Sequence, residues 1–153
     1  MNRYMVLLGI ALAALASSGA AAQSAKDVVG TWTLVSADAF GTNPKGYVMF
    51  DANGRVSAVL MRSDLPKYVS NNRSQGTAEE NKATVQGMIA WFGTYSVNGS
   101  DLILNIEGSS FPNWNGSTQK RTNLSVSGDE LRWTQPTPSV GGPPAATVWK
   151  RAK

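Results

Sequence analysis

Asp51-Ala52-Asn53-Gly54, Asn98-Gly99-Ser100-Asp101 and Ser127-Gly128-Asp129 decide how this chain folds. Each reads as a tight hairpin turn, because Asn-Gly and Gly-Asp supply the positive φ angles that narrow hairpins need. Around them lie long connections at 37–45, 63–92, 108–117 and 136–145, so short and long connections alternate. In an up-and-down antiparallel barrel, successive connections fall at opposite ends. The short turns then close one end and the long ones ring the other. The result is a cup with an open mouth, the usual place for a small molecule.

The segments flanking these turns are short, β-branched or aromatic, and bounded by Gly, Asn or Pro. Eight strands are expected, at 30–37, 46–51, 55–62, 93–97, 102–107, 118–126, 130–135 and 147–151. The fold class is all-β, an eight-stranded up-and-down antiparallel barrel. The first strand puts Trp32, Leu34 and Ser36 on one face. One helix is expected between strands 3 and 4. Thr77 with Glu80 forms a capping-box pair. Val85, Met88, Ile89 and Phe92 follow as one apolar stripe, and Gly93 can end it. The internal Gly87 costs about 1 kcal/mol relative to Ala, so the helix needs docking. Two placements remain open, over the mouth or on the outer wall. The Pro- and Gly-rich stretch 136–144 reads as an ordered mouth loop.

Residues 1–22 read as a secretory signal peptide: Arg3, then an apolar run at 6–16, then Ala20-Ala21-Ala22 ahead of Gln23. The run is short of the roughly 20 residues of a membrane span. Export to the periplasm or the medium is expected, with 23–153 as one domain and no stable membrane anchor. The chain has no Cys, so it folds without disulfides and has no thiol for lipid attachment. It has no His, which removes a Ser-His-Asp triad, a His base and a His metal site. No metal or cofactor is expected. The 14 basic and 10 acidic residues give a net charge of +4, with no basic block. Nucleic acid is therefore an unsuitable partner. Oligomeric state is open.

Gly30-Thr31-Trp32 opens the first strand and Arg151 closes the last. In a closed barrel these ends lie side by side, so Arg151 over Trp32 makes a cation–π plug at the closed end, worth about 0.5–2 kcal/mol. This pairing resembles the lipocalin signature. A longer set is more specific: Ala90-Trp91-Phe92-Gly93-Thr94-Tyr95-Ser96-Val97, then Glu107-Gly108-Ser109-Ser110-Phe111-Pro112-Asn113-Trp114-Asn115-Gly116, then Gln119-Lys120-Arg121. With Gly30 to Ser36 and Asp51 to Ala58, it resembles the bacterial lipocalin-like domain family over nearly all of 23–153. The resemblance implies a small calycin-type barrel with a helix between strands 3 and 4, and by analogy a small-molecule site. Relatives tend to carry a His pair just before the Glu-Gly-Ser segment. Leu104 and Asn105 stand there in this chain.

Polar candidates cluster near the mouth. Glu107, Asn105, Gln119 and Arg121 lie on neighbouring strands, and an inward Arg presents donors to a carboxylate or carbonyl. The opposite phase is also open, because Leu102, Leu104 and Ile106 suit the core. Leu124 and Val126 are out of phase with Arg121, so all three face inward only with a β-bulge near Asn123. Tyr47, Met49, Met61, Tyr95 and Trp133 are candidate cavity coats. Phe111 and Trp114 either cover the mouth from an exposed loop or fold back on the rim. The leading reading is an exported protein that binds a small apolar or amphipathic molecule. One alternative is an isomerase or cyclase using Glu107 or Tyr95 as acid–base with Arg121 as oxyanion donor. Another is a protein-binding inhibitor using the 111–114 loop.

Overall fold

The computed structural model describes residues 23–153, so the signal segment expected at 1–22 lies outside the described residues. The strands are β1 (Gly30–Ala37), β2 (Lys45–Phe50), β3 (Arg55–Met61), β4 (Met88–Asn98), β5 (Asp101–Ser109), β6 (Thr118–Ser127), β7 (Glu130–Gln135) and β8 (Ala145–Arg151). They pair antiparallel in chain order and close when β8 returns to β1. The three expected hairpins close one end. Gly54, Gly99 and Gly128 take φ of 84°, 61° and 56°, the left-handed values that narrow turns require.

A four-residue helix, α1 (Ala25–Val28), lies across the closed end. Trp32 is fully buried beneath it and donates Nε1–H to the Val28 carbonyl at 2.8 Å. Trp32 sits directly opposite Arg151, whose guanidinium lies 4.0 Å from the ring centroid. Arg151 also donates to the Val29 carbonyl at 3.0 Å. The guanidinium therefore satisfies backbone carbonyls as well as covering the ring.

Aromatic side chains fill the interior. Tyr95 meets Phe50 at 4.9 Å, Phe50 meets Trp133 at 6.4 Å, and Trp133 meets Trp149 at 5.1 Å between ring centroids. Large residues stacked this way leave little free volume lower in the cup.

Two expectations about faces need correction. Ser36 does not share a face with Trp32 and Leu34, because the β1–β8 register shifts between Leu34 and Ser36. Ser36 is exposed, and Ala37 turns inward instead. The helix α2 (Ala78–Gly87) is shorter than its stripe implied. Its capping box is formed as expected: Glu80 N–H donates to Thr77 Oγ1 at 3.2 Å, and Thr77 N–H to Glu80 Oε2 at 2.8 Å. Glu80 Oε1 also accepts from Val69 N–H at 2.8 Å. These backbone donors, Val69 first, hold the Glu80 carboxyl below its usual range. Yet Met88, Ile89 and Phe92 belong to β4, paired with β3. The sequence Ile89-Ala90-Trp91-Phe92-Gly93-Thr94-Tyr95 also alternates with period two, and pairing against β3 wins over helical spacing. The helix end instead lies beside the mouth, where Thr84, Val85 and Gln86 line a groove.

Candidate functional site

β6 carries the residue that makes the mouth distinctive. It enters from the mouth with Gln119 and Arg121 opposite Leu104 and Leu102, both fully buried, so this phase faces inward. Leu124 is buried too. The two phases are reconciled by a register shift between Thr122 and Ser125, where Asn123 takes φ of 54°. This is the bulge that an inward Arg121 requires. Arg121 is only 3% exposed. Its guanidinium carbon lies 5.4 Å from the Trp114 ring centroid, and Nη1 donates to the Lys120 carbonyl at 3.3 Å. No carboxylate pairs with it: the ion pairs among the described residues join Arg55 to Glu107, Arg62 to Asp64, Lys120 to Asp101 and Arg132 to Glu130. Burial pushes the guanidinium down from its ordinary value to about 10, so it remains a cation at neutral pH.

Arg121 faces a cavity of about 70 Å³ at the mouth, lined also by Trp91, Trp114, Trp133 and Gln135. Phe40, Ile89, Ser139 and Val140 form its outer wall and continue into an apolar groove of about 290 Å³ beside α2 and Phe111. Asp38 stands at the rim, where Oδ2 accepts from Ala146 N–H at 3.1 Å. The site thus has a small polar pocket with one buried cation, opening into a larger apolar channel.

The other predicted residues divide. Trp114 folds back and is 9% exposed, while Phe111 packs edge-on against it at 6.0 Å and is half-buried. The 111–114 loop therefore plugs the rim and does not present free aromatics. Gln119 points inward but donates to Ser117 Oγ at 2.9 Å and lies outside the cavity wall. Tyr95 is inward at the wrong end: its hydroxyl donates to the Asp51 carbonyl at 2.8 Å, beside a hairpin turn of the closed end. Burial raises its phenol above the ordinary value. Tyr47, Met49 and Met61 stand on the outer wall, because Val48, Phe50 and Leu60 take the inner phase.

Asn105 and Glu107 are also exterior. Asn105 bonds Thr118 and Thr94 across neighbouring strands. In the β4–β5 pairing, Phe92 faces Gly108 and Gly93 faces Ile106, which makes Glu107 the extra residue of a bulge. Its carboxylate receives both Arg55 guanidinium nitrogens, at 2.7 and 2.8 Å, in the open. Such exposed pairs contribute little. Glu107→Gln is expected to leave the urea midpoint and ligand affinity indistinguishable from wild type. A clear loss of binding would return Glu107 to the site.

Gln135 and the Asp38 rim were not anticipated. Gln135 had a signal, since it continues the inward phase of Leu131 and Trp133. Asp38 had none, because it follows the irregular end of β1.

A model of a lipocalin-like domain matches residues 29–152. The chain belongs to the lipocalin-like domain family. No curated protein matches it. The lipocalin-like barrel accounts for the cup, for α2 between β3 and β4, and for a small-molecule mouth, whereas the ligand depends on the side chains within. In this lipocalin-like chain the polar side of the mouth is Arg121, and the apolar side is the groove along Phe40, Val140 and Phe111.

Proposed function

We propose that the protein binds a small amphipathic molecule in the mouth, with an anionic group against Arg121 and an apolar portion in the groove beside α2. One observation carries this reading: a buried guanidinium without a carboxylate partner lines the cavity. Burying an unpaired cation is costly, and a ligand anion offsets that cost. The cavity's size supports a headgroup, not a whole large ligand. At roughly 10–15 Å³ per water, about 70 Å³ holds some five small atoms. The remainder of the molecule extends along the groove.

Titrating the protein with octanoate and with 1-octanol, by calorimetry, tests the reading. The acid is expected to bind more tightly, and that difference should vanish in Arg121→Met. Equal binding of acid and alcohol by the wild type would overturn it. The isomerase or cyclase alternative loses its support, because neither Glu107 nor Tyr95 reaches the Arg121 cavity. The inhibitor alternative loses the free aromatics on which it depended.

Export belongs to the same proposal and rests on the charged start, the apolar run and Ala20-Ala21-Ala22. Intact-mass measurement of protein recovered from the periplasm or medium should give a chain beginning at Gln23. Full-length protein retained in the cytoplasm would defeat it.

A further inference from the structure

Gln135 adds a second polar requirement to the cavity. Its Nε2 donates to the Thr137 carbonyl at 2.6 Å, which fixes the orientation of the amide. Its Oε1 is then buried, and it has no hydrogen-bond partner among the described residues. Buried acceptors left unpaired are uncommon and costly. This one belongs to a residue lining the same cavity as Arg121. The residues around the pocket therefore include a charged donor, on Arg121, and a neutral acceptor left without a partner, Gln135 Oε1.

We infer that the ligand's anionic group carries a neighbouring hydroxyl, so that the site takes a hydroxycarboxylate: carboxylate oxygens on Arg121 and the hydroxyl donating to Gln135 Oε1. This deepens the proposed function and rests on it. The chemistry selects among donors. An ammonium would satisfy Gln135 as well, but it would bring a second cation into the same small pocket as the guanidinium. Asp38 at the rim is engaged by Ala146 N–H and lies at the opening. A hydroxyl supplies the donor without charge. The carboxylate, the carbon bearing the hydroxyl and the hydroxyl oxygen together match the volume of the cavity. The alkyl remainder leaves past Phe40, Ile89 and Val140 into the groove.

The test uses octanoate, 2-hydroxyoctanoate, 3-hydroxyoctanoate and 1-octanol with the described chain and its Gln135→Met variant, by calorimetry. One of the hydroxy acids is expected to bind about tenfold tighter than octanoate to the wild type, as for one added hydrogen bond to a buried acceptor. That ratio should fall to about one in Gln135→Met. If the variant does not fold, the wild-type ratio decides alone. Three results overturn the inference. Equal binding of all three acids, each still tighter than 1-octanol, would mean that water serves Gln135 Oε1; the anion reading would survive. A ratio unchanged in Gln135→Met would place the preference elsewhere. No advantage of any acid over 1-octanol would remove the anion reading and this inference with it.

Discussion

Trp32→Ala is expected to cost about 3–5 kcal/mol of folding stability, the range for truncating a buried Trp. The ring is fully buried and supports three things at once. It fills the bottom of the cup. It donates to the Val28 carbonyl at 2.8 Å, which ties α1 across the closed end. It also gives Arg151 a surface at 4.0 Å. Truncation opens a void and leaves that carbonyl without its donor. Against a total stability of about 5–15 kcal/mol, this is a large fraction. Urea unfolding should show a lower midpoint with an unchanged slope. Trp32→Phe keeps a ring and loses the hydrogen bond, so it should fall between. Affinity at the mouth should not change, since Trp32 lies at the other end. A stable Trp32→Ala protein with weakened ligand binding would reverse the assignment.

Arg121→Met should separate stability from binding. Removing an unpaired buried cation while keeping much of its volume is expected to leave stability equal or raise it by about 1–2 kcal/mol, after the loss of the Trp114 contact. Acid binding should weaken by about 1.5–3 kcal/mol, the usual worth of a charged hydrogen bond. Neutral apolar ligands should bind as before or better. The pH dependence has a definite sign. The folded value is about 10, below the ordinary value, so the folded state releases this proton first. The group's contribution to stability is therefore unfavourable throughout the range below about pH 10 and is relieved as pH rises above that. Anion binding should fade as pH rises through about 10, in the same window. Arg121→Met should lack both features. A strong loss of stability in this variant would show that Arg121 supports the fold and not a ligand.

The barrel was legible because turn chemistry is local. Asn53-Gly54, Gly99 and Gly128 each need only their own residues to specify a reversal, and their spacing then fixes which end each loop joins. Faces were less legible. Residues 46–50 are a continuous run without polar alternation, so Tyr47 and Met49 could not be told from Val48 and Phe50. Only pairing with β1 and β3 decides. Glu107 misled for a different reason: a bulge places one extra residue on β5, and a bulge leaves no mark that period-two counting can detect. Arg121 was readable through the same device, because Leu124 and Arg121 could both face inward only if the strand broke near Asn123. The loop residues that finish the mouth, Phe40 and Val140, come together only through the fold.

The pairing of β8 with β1 joins the two ends of the described chain. Every other strand finds its partner next in sequence, so those hairpins can form as the chain is made. The last closure cannot. Trp149 enters the core, and Arg151 reaches Trp32, only with the final strand. Until then the chain has two open sheet edges and no seal at the bottom of the cup, a state prone to pairing with other strands. Closure of this barrel thus waits for β8 to be made. Deleting Ala145–Arg151 should give an aggregating product and not a weakened barrel.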